Sequence, residues 1–206
     1  MIARMQFISN ETAQFSHLES IKLALDAGCQ WIQLRVKNQP EAIVITLAAQ
    51  ARQLCDSYQA KLIINDYPKV AVLCEADGLH LGLDDAPLSE ARKITGPNMI
   101  MGGTANTLEH VQQRMHEGAD YIGLGPLRYT TTKQKLSPIL GFEGFEKIIS
   151  ELPKTQPLPK IIAIGGITEN DIPKLLDIGI YGFAMSGEIT GSKNPSTIIE
   201  KIKILC

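Results

Sequence analysis

The sequence lacks any apolar run of about 18 residues or more, the length a membrane span needs, so a soluble protein is expected. Its first residues, Met1-Ile-Ala-Arg-Met-Gln-Phe, contain no apolar stretch long enough for a secretory signal and no small-residue cleavage pattern. A cytoplasmic location is therefore expected. Cysteine is sparse: Cys29, Cys55, Cys74 and Cys206 are widely spread and no pair has metal-ligand spacing, which reads as thiols in a reducing compartment. An excess of charge of one sign is missing too. With a formal net charge of -2, no global field recruits nucleic acid or a membrane, and any anion site must be local. No Gly-x-Gly-x-x-Gly follows the first apolar run, which weighs against a dinucleotide site. No Ser/His/Asp or Cys/His set suggests a protein nucleophile, and His17, His80, His110 and His116 read as structural or surface residues.

What is present is an alternation. Eight short apolar runs start at Met5, Trp31, Lys61, Gly78, Met99, Tyr121, Ile161 and Gly182, and amphipathic stretches with cap signals separate them. Gly28, Gly118 and Gly179 stand where left-handed helix stops belong, and Thr168-Glu-Asn-Asp171 and Pro87-Leu-Ser-Glu90 supply caps or acidic first turns. Eight strands in strict β-α order imply an all-parallel sheet with right-handed crossovers. That number closes naturally into a single-domain (β/α)8 TIM barrel spanning residues 1–206, with a doubly wound open sheet as the alternative. The proline-rich stretch from Leu152 to Pro159 is too short to divide domains and reads as a loop before the seventh strand.

In such a barrel, active residues collect where the strands finish. Gln33, Arg35 and Lys37 recur at period two, so they share a face, and a guanidinium with an ammonium suits phosphate oxygens. A solvated strand end or an internal salt bridge is the plainer alternative, and an anionic substrate is the better reading. Asn65-Asp66 ends the third run and Asp84-Asp85 follows the fourth. Carboxylates from neighbouring strands can converge on Mg2+, although each pair alone reads as well as a helix cap or an acidic turn. After the sixth run, Gly123-Leu-Gly125 leads into Thr130-Thr-Thr132-Lys133, the hydroxyls, lysine and glycine backbone of a phosphate cradle. Gly165-Gly166 and Ser186-Gly187 finish the last two runs, where barrels commonly bind phosphate. Two anion sites in one mouth suit a reaction that joins two phosphorylated substrates.

In this order the motifs resemble the thiamine phosphate synthase family over nearly the whole chain: Gln33-Leu-Arg-Val-Lys37, Leu62-Ile-Ile-Asn-Asp66, the segment from Ala76 to Asp85, Gly102-Gly-Thr-Ala-Asn-Thr107, Gly118 to Pro126 with Thr130 to Lys133, and Ala163-Ile-Gly-Gly-Ile167. The resemblance implies an enzyme, a transferase that couples hydroxymethylpyrimidine diphosphate with a thiazole phosphate, plain or carboxylated, and releases diphosphate. It implies Mg2+ on Asp66 and Asp85, and diphosphate binding by Arg35, Lys37, Asn65, Thr104 and Lys133, with Arg35, Lys37 and Lys133 as the catalytic set. Gln33 would lie beside the pyrimidine, and Thr130, Thr132, Gly166, Ser186 and Gly187 would hold the thiazole phosphate. The sequence leaves a homodimer open.

Departures from the family pattern stand at Val36, Tyr67, Leu83, Thr104, Thr131 and Gly187. Of these, Val36 should face away from Arg35 and Lys37, and Gly187 removes a hydroxyl from the monophosphate side. The related thiazole tautomerases resemble the same pattern but carry a catalytic histidine where this chain has Asn106, and they lack the paired carboxylates. A tautomerase-like isomerase and a non-catalytic barrel that binds thiamine precursors are the competing readings.

Overall fold

Each of the eight apolar runs forms a strand: β1 (Met5–Ile8), β2 (Trp31–Leu34), β3 (Lys61–Asn65), β4 (Gly78–Leu81), β5 (Ile100–Ala105), β6 (Tyr121–Leu124), β7 (Lys160–Ile164) and β8 (Gly182–Met185). The structure, a computed structural model, describes residues 2–130, 137–153 and 158–205. All neighbours pair in parallel, in sequence order, and β8 closes on β1 through Met5 against Phe183 and Gln6 against Ala184. The closed barrel, rather than the open sheet, is what these strands build. Helices α1 (His17–Asp26), α2 (Glu41–Ser57), α3 (Pro68–Leu73), α4 (Leu88–Thr95), α5 (Leu108–His116), α6 (Gly141–Ser150) and α7 (Ile172–Ile178) follow the first seven strands. After β8 come a single turn, α8 (Gly187–Thr190), and the closing helix α9 (Pro195–Leu205). None of the described helices is long and apolar enough to cross a membrane.

The period-two pattern sorts the strand residues into two cores. Phe7, Ile32, Leu34, Leu62 and Ile64 point outward and meet the helix faces, including Ile21, Ala24, Val44 and Ala48. Ile8, Trp31, Ile63, Tyr121, Ile162 and Ala184 point inward and fill the barrel. The inner layer also holds polar side chains: Gln6 and Gln33 are buried there. Space for the Tyr121 ring comes from Gly102, where a Cβ would overlap it. The Trp31 ring meets Tyr121 edge-on, at 4.9 Å between centroids.

The stops read from the sequence are present: Gly28, Gly118 and Gly179 have φ of +93°, +78° and +101°. Thr168 and Asp171 form a reciprocal capping box at the 3-10 turn before α7, and Ser16 and Glu19 form another at the start of α1. Strand ends differ by a residue or two. β2 stops at Leu34, so Arg35 and Lys37 lie in the loop beyond it. Val36 between them is buried in the outer core, facing away from both as its position implied.

Candidate active site

At the C-terminal ends of the strands lies a cavity of about 430 Å³, a normal size for a small-molecule site. Gln33, Arg35, Lys37, Asn65, Asp66 and Thr104 line one side. Thr130, Gly165, Gly166, Ser186 and Gly187 line the other. The sequence-derived site candidates among the described residues thus converge on one mouth, except Asp85, which approaches Asp66 but does not itself line the cavity. Thr132 and Lys133 lie outside the described residues.

On the first side, Lys37 donates from Nζ to the Asp66 carboxylate. The Arg35 backbone N–H donates to Ser9 Oγ at 3.0 Å, and that hydroxyl also meets His17 Nδ1 at 3.0 Å, so the end of β1 fixes the start of the cationic loop. Burial draws the Arg35 guanidinium below its ordinary pKa, and the nearby Asp66 charge offsets part of this. Asp66 itself has φ +68°, a left-handed conformation uncommon outside glycine, and its N–H donates to the His80 carbonyl at 2.9 Å. That kink turns the carboxylate into the mouth. Burial raises the Asp66 pKa and the neighbouring Asp85 pushes the same way, while the bond from Lys37 opposes them without cancelling them. Asp85 approaches Asp66 within hydrogen-bonding reach and is held by the Gly82 N–H, which donates to Oδ2 at 2.6 Å.

Asp66 does not serve as the helix cap that its position also suggested, and Asp85 is more than a solvated acidic turn. The first residue of α3 follows Tyr67, which makes no side-chain cap bond, and Asp84 is exposed while Asp85 turns back to Gly82. Asn65 Nδ2 and Asp66 Oδ1 are buried with no hydrogen-bond partner among the described residues. Orphaned polar atoms of this kind, facing a cavity, call for a ligand. Two adjacent carboxylates with one unpartnered oxygen fit a divalent cation of the magnesium type, which takes one or two carboxylates and completes its shell with water and phosphate. Among the described residues, no third metal-binding side chain joins them.

On the second side, the loop after β6 is laced to the loop after β7. Leu127 N–H donates to Ile164 O at 3.0 Å, Arg128 N–H donates to Gly165 O at 3.1 Å, and the Arg128 guanidinium reaches Gly166 O at 2.5 Å. The same guanidinium forks onto Asp171. Gly166 has φ +70° and a Cβ there would overlap the Arg128 stem, so the position requires glycine on two counts. Ser186 Oγ, just before α8, is buried without a hydrogen-bond partner among the described residues and makes no cap bond.

Asn106 does not face this chemistry. Its buried Nδ2 donates to the carbonyls of Gly125 at 2.9 Å and Pro138 at 2.8 Å, which commits it to bracing the loop after β6.

Some residues of the site were not found from the sequence. His80, read as structural or surface, is buried, lines the cavity and meets Thr104 Oγ at 3.0 Å through Nε2. Arg114 is buried behind β5, where its guanidinium reaches the carbonyls of Thr104 at 3.2 Å and Gly82 at 2.7 Å. A usable signal for the inner partners was the glutamine in each of the first two apolar runs: Gln6 and Gln33 fall at inward positions, where a polar side chain needs a partner.

The chain as a whole has close counterparts. The family profile described as thiamine monophosphate synthase matches residues 5–189. A thiamine-phosphate synthase of Bacteroides thetaiotaomicron is 44% identical over 198 residues, 96% of this chain and 95% of that protein. One from Flavobacterium johnsoniae is 45% identical over 202 residues, 98% of this chain and 95% of that protein. The solved thiamine phosphate pyrophosphorylase of Pyrococcus furiosus superposes with a TM-score of 0.82 at 29% identity, covering 98% of this chain and 94% of that one. With a profile match across most of its length and relatives at this identity, the chain belongs to the thiamine monophosphate synthase family.

Proposed function

We propose that this barrel is a thiamine-phosphate synthase, joining hydroxymethylpyrimidine diphosphate to a thiazole phosphate and releasing diphosphate. The observation that carries the reading is one cavity lined by cationic and polar side chains on one side and by glycine-rich backbone on the other. Arg35, Lys37 and Asp66, with Asp85 beside it, stand on one side, and the Gly165-Gly166 and Ser186-Gly187 backbone stands on the other. Family membership and named relatives across the whole chain support it.

In this reading Asp66 and Asp85 hold Mg2+, and Arg35, Lys37, Asn65 and Thr104 hold the diphosphate. Gln33 lies beside the pyrimidine. Thr130, Gly166, Ser186 and Gly187 take the thiazole phosphate, Thr132 joins them, and Lys133 joins the diphosphate set. Magnesium, when bound, supplies positive charge to the departing diphosphate oxygens. The pyrimidine methylene–oxygen bond breaks with its electron pair leaving on diphosphate, and the electron-rich aminopyrimidine stabilises the carbocation. The thiazole nitrogen lone pair then forms the new carbon–nitrogen bond. The protein contributes placement and charge stabilisation and needs no nucleophile. The two substrates are the only partners required, with no call for nucleic acid or membrane, and a cytoplasmic setting suits them.

The isomerase alternative loses ground at Asn106, whose amide is already bound to two backbone carbonyls. The test is an assay of the purified protein with both substrates. Thiamine phosphate and diphosphate should appear with magnesium and stop in chelator. Product formed at an undiminished rate in chelator, or none with metal, refutes the reading. Saturable substrate binding without turnover identifies a binding-only barrel instead.

A further inference from the structure

A chain of buried polar side chains links Gln33 to Thr104 through the barrel interior, and both ends border the cavity. Gln33 Nε2 donates to Gln6 Oε1 at 3.3 Å, and Gln6 Nε2 donates to the Tyr121 hydroxyl at 3.3 Å. The hydroxyl meets His80 Nδ1 at 3.1 Å, and His80 Nε2 meets Thr104 Oγ at 3.0 Å. Gln6, Gln33, Tyr121 and His80 are all buried, and Thr104 borders the cavity. Burial in the apolar barrel raises the Tyr121 pKa, so the phenol keeps its proton.

Each link has a fixed number of protons, so one choice propagates along the chain. The Tyr121 oxygen accepts from Gln6, has the Gln33 amide within hydrogen-bonding reach as a second donor, and has one proton to give, for which His80 Nδ1 is the neighbour placed to take it. A neutral imidazole that accepts at Nδ1 carries its proton on Nε2, which then donates to Thr104 Oγ. The hydroxyl proton of Thr104 is thereby released to point into the cavity. An anion there needs donors, so the direction set from below matches the charge of the substrate above.

We propose that Tyr121 is a positioning residue of the reaction: through His80 it fixes Thr104 as a hydrogen-bond donor toward the diphosphate. The proposal rests on the functional reading above, which supplies the anion at Thr104. The barrel is built around this ring, since Gly102 leaves the space that Tyr121 occupies and Trp31 packs on its edge.

The experiment has a spectroscopic arm and a kinetic arm. Long-range proton–nitrogen correlation spectra of the 15N-labelled full chain, without substrates, should show His80 as the Nε2–H tautomer and show that tautomer lost or mixed in Tyr121→Phe. In turnover, Tyr121→Phe should lower kcat at least about tenfold and leave the KM for thiazole phosphate unmoved, a smaller loss than direct removal of a transition-state donor causes. Placed on Thr104→Val, the same substitution should cost less than about twofold more, because the hydroxyl it orients is gone. The proposal is overturned if wild-type His80 is the Nδ1–H tautomer, if Tyr121→Phe keeps full kcat, or if its loss is undiminished beside Thr104→Val. The wild-type spectrum needs no variant, so it decides the matter even if Tyr121→Phe does not fold. It also needs no activity, so a wild type that makes no thiamine phosphate counts against the functional reading and not against the tautomer.

Discussion

The Arg128 guanidinium grips both carboxylate oxygens of Asp171, at 2.5 and 2.6 Å, and ties the loop after β6 to the turn that opens α7. The same guanidinium holds the carbonyl of Gly166, whose backbone borders the proposed monophosphate half of the cavity. A planar fork makes these contacts together and an ammonium cannot. Arg128→Lys should therefore raise the KM for thiazole phosphate about tenfold, the equivalent of one charge-assisted hydrogen bond, and leave the KM for the pyrimidine diphosphate nearly unchanged. Steady-state kinetics with each substrate varied in turn will show the split, and an equal rise in both constants would refute it.

The same pair makes a statement about pH. Burial pushes the Asp171 carboxyl up, but the bonds from Arg128 and Thr168 outweigh it and leave the pKa below its ordinary value. A carboxylate depressed in the folded state adds stability above its unfolded pKa, and that stability fades as pH falls through the folded value. Asp171→Asn should thus cost about 1 to 2 kcal/mol at neutral pH, a figure kept low by the half-exposed Arg128. The gap between the two proteins should close below the ordinary carboxylate range, near pH 3.9. Urea unfolding at a series of pH values measures it.

Asp66 has the opposite sign. Its pKa is raised, chiefly by burial, so the ionised form is less comfortable in the folded protein than in water at neutral pH. Asn keeps the shape and tolerates φ +68°. Asp66→Asn should leave the thermal midpoint of the metal-free protein unchanged or higher, while magnesium-dependent turnover falls at least about 100-fold. A helix-capping role would instead lower stability by about 0.5 to 2 kcal/mol and spare turnover.

The barrel and both halves of its mouth were legible in the sequence because each rests on short-range patterns: period two places Gln33 inward, and glycine pairs mark where backbone must bend or come close. Arg35 and Lys37 reached the cavity although β2 ends before them, since the inward–outward alternation continues past the last ladder bond, with Val36 between them in the outer core. What stayed hidden depends on pairs far apart in the chain. Nothing near Tyr121 in sequence announces Gln6 or His80, and nothing near Arg128 announces Asp171. A strand residue declares which face it occupies, but not which side chain from across the barrel will meet it.

Arg114 shows how far such a hidden partner supports the site. It is buried on the outer side of β5 and pairs with Glu117 at 2.7 Å while its guanidinium braces the carbonyls of Gly82 and Thr104. Glu117 in turn accepts from the Leu88 N–H at 3.1 Å, so one ion pair holds the loop after β4, which carries Asp85, against the end of β5, which carries Thr104. Burial pushes the Glu117 carboxyl up, yet its bonds from Gln113, Leu88 and Arg114 bring it below the ordinary value. Removing one member of a buried pair leaves the other charge uncompensated. Arg114→Met should cost about 3 to 5 kcal/mol in urea unfolding, and Arg114→Met with Glu117→Leu should recover part of that loss. If the pair also fixes these two segments, the double variant will regain stability without regaining kcat, because the carbonyls of Gly82 and Thr104 still lack their brace. Recovery of both would show that Arg114 serves the fold alone.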